Sequence, residues 1–137
     1  MIAVAECEDA LYLVEVGETV EEDVLLAREP GGTVERPRPV DVAPAWIFGL
    51  LVDVDAGGST VVVLVDRKPP LLVSHDAGGA WTELGGGLPP GRAVAVGANP
   101  DDLLYGGRNR LFVSRNGGIF WRALGVELPE VRDVAWG

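Results

Sequence analysis

One segment of the chain recurs without a gap 40 positions further along. Residues 71–84 read LLVSHDAGGAWTEL, and residues 111–124 read LFVSRNGGIFWRAL. The same offset continues beyond these segments, because residues 88–89 and 128–129 are both Leu-Pro and Arg92 falls on Arg132. A repeat of this length predicts a fold made of similar units that stack on one another and bury a shared core.

Each unit is expected to contain four short strands. Runs of Val, Leu, Ile and aromatic residues alternate with clusters of Gly, Pro, Asn and Asp, and no helical periodicity is sustained. The strands are predicted at 2–6, 10–16, 23–28 and 33–36, then at 46–53, 60–66, 71–74 and 80–84, and then at 92–97, 102–106, 110–114 and 120–124. A last strand is predicted at 131–136, where the sequence repeats the first strand of a unit.

These strands predict one all-β domain over residues 1–137. The units are expected at about 1–40, 41–87 and 88–127, followed by an extra strand within 128–137. Residues 24–37, which read VLLAREPGGTVERP, are interpreted as a degenerate first copy of the repeated segment at an offset of 47. In that copy Ala27 replaces the serine and Val34 replaces the tryptophan, while Gly31 keeps the glycine.

The recurring segment contains residues suited to closing a tight turn. An Asp or Asn side chain accepts hydrogen bonds from backbone N–H groups a few residues later, and glycine supplies a positive φ. Tryptophan adds a large apolar anchor after the turn. The residues concerned are Ser74, Asp76, Gly78 and Trp81 in one copy, and Ser114, Asn116, Gly118 and Trp121 in the other. We interpret them as structural, so Asp76 is not expected to be an acid catalyst or a metal ligand.

The pattern Ser-x-Asp-x-Gly-x-x-Trp resembles the Asp-box, or BNR repeat, of sialidases, sortilin-type receptors and photosystem assembly-factor propellers. Residues 74–81 match it in full, and residues 114–121 depart from it only by Asn116. The resemblance implies a β-propeller of four-stranded antiparallel blades, with about three blades in this chain. Propellers usually close with about four to eight blades. We therefore expect two copies to form a six-bladed homodimer, with a fragment of a larger propeller as the alternative.

The expected function is a non-catalytic scaffold or binding module for a protein or glycan ligand, and no cofactor is expected. The alternative is a glycan-binding or glycan-hydrolysing propeller. For sialidases the resemblance implies an arginine triad, a tyrosine–glutamate pair and an acidic acid/base. The nearest match to the arginine motif, at residues 28–30, lies inside the degenerate copy, and Tyr12 and Tyr105 fall in apolar strands. No catalytic residue is therefore assigned.

Five residues are predicted to contact a ligand. Arg92, Arg132 and Asp133 are expected at the starts of inner strands, where they would line a central channel. The alternative is that the two arginines pair with acids at solvent-exposed edges. Trp46 and Trp136 could stack on sugar rings, because Trp81 and Trp121 are used by the turns; alternatively both belong to the core or an interface.

The chain carries a net charge of −10, and residues 1–45 contain 11 acids against 3 bases. This balance disfavours binding to nucleic acid or to an anionic membrane. The acidic segment is either a solvated face or a docking patch for a basic partner or a cation.

Cys7 and His75 are each the only residue of their type, which excludes an intrachain disulfide and a histidine-rich zinc site. The N-terminus contains no secretory signal, so a cytoplasmic protein is expected.

Overall fold

The computed structural model describes residues 1–47 and 49–137 and is all-β. Within them the strands are β1 Ile2–Cys7, β2 Ala10–Glu15, β3 Val24–Pro30, β4 Leu51–Gly57, β5 Thr60–Val65, β6 Leu71–Ser74, β7 Thr82–Leu84, β8 Ala93–Val96, β9 Leu103–Gly106, β10 Arg110–Ser114, β11 Arg122–Glu127 and β12 Val131–Trp136. Short 3₁₀ turns occur at Val20–Glu22, Val40–Val42 and Ala45–Ile47.

The strands form three four-stranded antiparallel sheets. The second sheet has the order β4-β5-β6-β7, and the third has the order β8-β9-β10-β11. The remaining sheet, here called the terminal sheet, has the order β12-β1-β2-β3. In it the last strand of the chain pairs with the first, with Ala3 opposite Trp136 and Ala5 opposite Val134. We call β4, β8 and β12 the inner strands, and β7, β11 and β3 the outer strands.

The third sheet lies between the other two. One cluster of buried residues joins its β8–β11 residues to β1, β2 and β12 of the terminal sheet. Another joins its opposite face to β5 and β6 of the second sheet. The remaining face of the second sheet packs against residues 43–47 of the long linker between β3 and β4. The linker therefore takes the place that a further sheet would occupy on this face.

Strand periodicity explains how the third sheet buries both of its faces. On β9, Leu104 points into the cluster shared with the terminal sheet, whereas Leu103 and Tyr105 point into the cluster shared with the second sheet. This two-residue alternation is the normal consequence of a pleated strand. Since both faces are covered, β9 is apolar throughout, as LLYG, and all four of its residues are buried.

The structure corrects the assignment of the first unit. Residues 33–36, predicted as a strand, have no regular structure, and the fourth strand of this sheet is β12. The extra strand predicted at 131–136 is therefore the inner strand of the terminal sheet. Residues 1–40 supply only three strands of this sheet, and β12 adds the fourth by pairing with the edge of β1 that β2 leaves free.

The degenerate copy over 24–37 is also corrected. Residues 24–30 form an outer strand, in the position that β7 and β11 occupy in the other sheets, whereas the true repeated segments include β6 and β10. The predicted strand 46–53 begins later, at Leu51, and Phe48 within that prediction lies outside the described residues. The shift follows from the proline- and alanine-rich sequence before it, which forms 3₁₀ turns.

Candidate functional site

Two equivalent loops connect the third and fourth strands of the second and third sheets. Loop A comprises residues 74–81, and loop B comprises residues 114–121. In loop A the Ser74 hydroxyl donates to Asp76 Oδ1 at 2.8 Å and accepts from Gly78 N at 2.8 Å. Asp76 Oδ1 also accepts from Ala80 N at 2.8 Å, and the φ of Gly78 is +94°.

Loop B repeats this network. The Ser114 hydroxyl donates to Asn116 Oδ1 at 3.0 Å and accepts from Gly118 N at 2.9 Å. Asn116 Oδ1 accepts from Phe120 N at 2.9 Å, and the φ of Gly118 is +96°. The Trp121 indole N–H donates to the Gly118 carbonyl at 2.8 Å. In both loops the serine and Asp or Asn oxygens bond only to groups of the same loop, and these bonds close its turn.

The inner strands converge on a cluster of charged side chains, the central cluster, made of Arg36, Arg38, Asp53, Asp55 and Asp133. Arg36 lies 2.6 Å from Asp53 and 3.2 Å from Asp133, and 3.7 Å from Asp55. Arg38 lies 2.9 Å from Asp53 and also pairs with Asp133. The side chains of Arg36 and Asp53 are 9% and 6% exposed, so this is a largely desolvated network in which each charge needs its partners.

The central cluster also satisfies backbone groups along the free edges of the inner strands. Asp53 accepts from Val94 N at 3.0 Å, and Asp55 accepts from Val96 N at 2.8 Å. Arg36 Nε donates to the Val134 carbonyl at 2.9 Å, and its Nη1 donates to the Val54 carbonyl at 3.4 Å. Buried backbone groups need partners, so these bonds hold the three sheets together at their centre.

Arg36 reaches this position because the linker crosses the open face of the terminal sheet. Val34 N donates to Glu6 Oε1 at 2.7 Å, and Gly32 lies against the side chain of Leu11. Pro37 and Pro39, which flank Arg38, fix φ and donate no backbone hydrogen bond, so this stretch stays extended. The linker thereby places Arg36 and Arg38 between β4 and β12.

A cavity of about 530 Å³ lies at the end of the inner strands. Its lining includes Trp136, Asp55, Asn99, Asp102 and Arg36. Among the described residues, the buried indole N–H of Trp136 has no hydrogen-bond partner. Arg36 and Asp102 are already paired, Asp102 with Arg115 at 2.7 Å. The cavity thus combines an aromatic ring with polar groups that are largely held by other parts of the chain.

The predicted channel residues make different contacts in the structure. Asp133 belongs to the central cluster. Arg92 and Arg132 lie at the opposite ends of β8 and β12 from the cavity, where Arg92 is 3.1 Å from Glu130 and Arg132 is 3.8 Å from Glu8. This is the pairing at exposed edges that the sequence left open as the alternative, and neither arginine lines the cavity described above.

The two predicted tryptophans also lie in different surroundings. Trp136 lines the cavity and packs against the core shared by the terminal and third sheets. Trp46 is 59% exposed on the linker, with the Arg67 guanidinium 5.3 Å from its ring centroid. That distance is within the range of a cation–π contact.

Tyr12, Tyr105 and Cys7 each donate a hydrogen bond, and each has a raised pKa. Tyr12 donates to Asp9 Oδ2 at 2.6 Å, and this bond raises the pKa of the phenol. Burial raises the pKa of Tyr105, whose hydroxyl donates to the Pro89 carbonyl. Burial also raises the pKa of the Cys7 thiol to about 11, with repulsion from Asp9 adding to the effect. The raised pKa of the Cys7 thiol and of the Tyr105 hydroxyl keeps both groups protonated near neutral pH, and neither donates to a carboxylate or an imidazole.

The sequence interpretation missed four members of the central cluster, namely Arg36, Arg38, Asp53 and Asp55. One signal was available, because Asp53 and Asp133 are separated by twice the 40-residue repeat and occupy the same place on their inner strands. Carboxylates inside otherwise apolar strands also suggest buried pairing, since buried charges are normally paired. Neither signal indicates that the partner arginines come from the linker.

No known family model matches this chain, and a search of curated proteins finds no relative. Among residues 1–47 and 49–137, no group of three or more His, Cys, Asp or Glu side chains is arranged to hold a metal ion. The described part of the chain contains no helix with the length and apolar character needed to cross a membrane.

Proposed function

We propose that this chain is a non-catalytic binding module of the β-propeller type, with loops A and B as structural Asp-boxes. Three consecutive four-stranded antiparallel sheets with converging inner strands support this proposal. The positions of Val54, Val94 and Val134, spaced by the repeat length on β4, β8 and β12, add to it. In propellers, repeated sheets surround a central axis in this manner.

One observation carries the non-catalytic part of the proposal. The charged side chains at the centre bond to one another and to the backbone edges of three inner strands. A catalytic carboxylate pair needs one group free to donate a proton and another free to attack or activate water. Asp53, Asp55 and Asp133 are instead engaged by Arg36, so their arrangement serves cohesion of the sheets.

Fluorogenic sialoside hydrolysis together with a sugar array tests this proposal. We expect no turnover of the sialoside above the rate without protein. Turnover above that rate which is lost in Asp53→Asn or Asp133→Asn, measured well below the unfolding temperature of each variant, would overturn the non-catalytic assignment.

Glycan binding is the second proposal, and Trp136 is the observation that favours it. The ring lines the cavity next to Asp55 and Asn99, and sugar rings bind to aromatic faces flanked by polar groups. A Trp136→Leu variant, which removes the aromatic face but keeps an apolar side chain, should lose any binding detected on the array, whereas Trp46→Leu serves as the matched control on the exposed linker. Equal binding by both variants would contradict a sugar site in the cavity.

Assembly is a separate proposal, in which two copies complete a six-sheet ring. Its support is the number of sheets, since three are fewer than propellers usually contain. Arg36 joins Asp53 of β4 to Asp133 of β12 within one chain, so a two-copy ring requires these ion pairs to separate. Light scattering distinguishes the two states by a mass of 14.5 kDa or twice that value. A monomer at all concentrations would contradict the two-copy ring and leave the binding proposal standing.

A further inference from the structure

The three outer strands present very different edges to solvent. Strand β7 has only three residues, Thr82–Leu84. Strand β11 is covered by the 16–23 segment of the terminal sheet, where Asp23 accepts from Gly125 N at 2.9 Å and a Cβ on Gly125 would lie 2.4 Å from the Val20 carbonyl oxygen. Strand β3 has seven residues and pairs only with β2. Among the described residues, β3 is therefore the longest outer strand without a covering segment.

Strand β3 also exposes a continuous apolar run. Val24, Leu25 and Leu26 are 50%, 45% and 53% exposed. Edge strands are usually protected by lysines, prolines, bulges or a covering element, because their free N–H and C=O groups pair readily with other strands. Strand β3 has a register shift opposite Leu13 and Val14 and a proline at position 30, but it contains no lysine, and among residues 1–47 and 49–137 no other strand pairs along its outer edge.

The charges around this edge specify the kind of strand that would pair with it. Glu21 and Glu22 are exposed just before β3, and Glu29 is exposed near its end. The one base in the strand, Arg28, is already paired with Asp9 at 3.0 Å. An extended segment laid along β3 would therefore have carboxylates near both of its ends and apolar side chains near its middle.

We propose that the free edge of β3 binds an extended segment of a basic partner protein as a fifth strand of the terminal sheet. The segment would contain β-branched or other apolar residues in its middle and Lys or Arg towards both ends. Main-chain bonds to the edge supply affinity in such strand addition, and side-chain pockets and charges supply specificity. This site is separate from the central cavity and does not depend on what the cavity binds.

Charge disfavours a second copy of this chain as the occupant. Antiparallel pairing of two β3 strands would bring Glu21 and Glu22 of one copy towards Glu29 of the other. Like charges placed opposite each other across a strand pair are destabilising. Each copy also has a net charge of −10, so association of two copies meets a general repulsion that a basic segment does not.

Fluorescence anisotropy with labelled synthetic peptides tests the proposal. The probe is Lys-Lys-Val-Thr-Val-Thr-Val-Lys-Lys, and the controls are the same peptide with Glu for Lys and one with Pro for the central Val. We expect saturable binding of the lysine peptide alone, weakened at least tenfold when salt rises from 50 to 500 mM, as expected for exposed charges. Absence of saturable binding, or equal binding of all three peptides, would overturn the proposal.

Variants of the protein test whether the peptide binds at the edge of β3. Charge reversal in Glu21→Lys/Glu29→Lys should weaken binding at least tenfold. The control, Asp41→Lys/Asp66→Lys, changes the net charge equally at exposed positions away from β3 and should weaken binding less than threefold.

Leu26→Lys should also weaken binding, and hydrogen exchange should show peptide-dependent protection at residues 24–28. Equal losses in both double variants, or protection elsewhere only, would contradict the site. Concentration-dependent doubling of mass that Leu26→Lys abolishes would assign the edge to a second copy instead.

Discussion

Loops A and B have the same internal hydrogen bonds but different surroundings. Gly118 of loop B is buried, and a Cβ there would lie 3.2 Å from Leu84 of the second sheet and 3.4 Å from Leu103. Gly78 of loop A lies at the outer side of the second sheet, and the nearest atom to its Cβ position is on its own loop's Trp81, at 3.6 Å. The repeated sequence therefore fixes the turn, whereas the neighbouring sheet decides how much the turn contributes to stability.

The largest difference is expected between the two tryptophans. The Trp121 ring lies 5.9 Å from Tyr105 in an edge-on arrangement and packs into the core between two sheets. Trp81 packs instead beside the cluster covered by the linker. Trp121→Ala should lower the free energy of unfolding by about 3–5 kcal/mol, and Trp81→Ala by about half as much. Urea unfolding measures both, and equal losses would contradict the comparison.

The two glycines with the same backbone conformation allow a sharper test. Alanine at either position meets the cost of a positive φ, about 1–2 kcal/mol. Only Gly118→Ala also forces Leu84 or Leu103 to move. We expect Gly118→Ala to be more destabilising than Gly78→Ala by about 1 kcal/mol, the low end of overpacking costs. If thermal unfolding shows Gly78→Ala to be the more destabilising change, then Leu84 and Leu103 move aside at little cost and the comparison is wrong.

Acid should affect loop A more than loop B, because only loop A contains a titrating group. Hydrogen bonds from Ala80 N and the Ser74 hydroxyl hold the pKa of Asp76 below its ordinary value. The stability that comes from this lowered pKa is present above the unfolded-state pKa, about 4, and is lost as the pH falls through the folded-state value.

Asp76→Asn should therefore reduce the loss of stability between pH 5 and pH 2, as measured by the urea midpoint. Asn116→Asp, the reciprocal change in loop B, should increase that loss. Unchanged acid profiles in both variants would contradict the role of Asp76 in the turn.

The smallest expected effect concerns the residue before each glycine. Ala77 has a φ of +57°, and its counterpart Gly117 has a φ of +74°. Ala77→Gly removes the strain of a left-handed alanine but increases the freedom of the unfolded chain, so the net gain should be about 0.5–1 kcal/mol. Gly117→Ala is the reciprocal control and should destabilise, because its Cβ would lie 3.0 Å from His75. A lower melting temperature for Ala77→Gly would contradict this reasoning.

The sequence predicted the local parts of the molecule better than the long-range ones. The all-β class and most strands follow from apolar runs and turn residues, and β6, β10 and β12 have the bounds that the repeat indicated. These features depend on neighbours within a few residues. The first unit was misassigned because β3 and β6 both begin with Val or Leu runs followed by glycine, and composition does not distinguish a third strand from an outer one.

The central cluster could not be predicted from the same signals. It joins Arg36 and Arg38 in the linker to Asp133 near the end of the chain. Such contacts depend on the path of a linker that has no regular structure over residues 31–39. Sequence reasoning predicted a strand over 131–136, which contains Asp133, but identified neither of the arginines that pair with Asp133.

The pairing of β12 with β1 also governs the order in which the molecule can be completed during synthesis. A ribosome releases residues 2–30 long before residues 131–136, so the terminal sheet has only three of its strands while the rest of the chain emerges. During that interval the edge of β1 that later receives β12 is free for other pairings. Gly137 N donates to the Ile2 carbonyl at 2.8 Å, so once β12 is in place this edge of β1 is paired from Ile2 to Cys7 and no longer open to other strands.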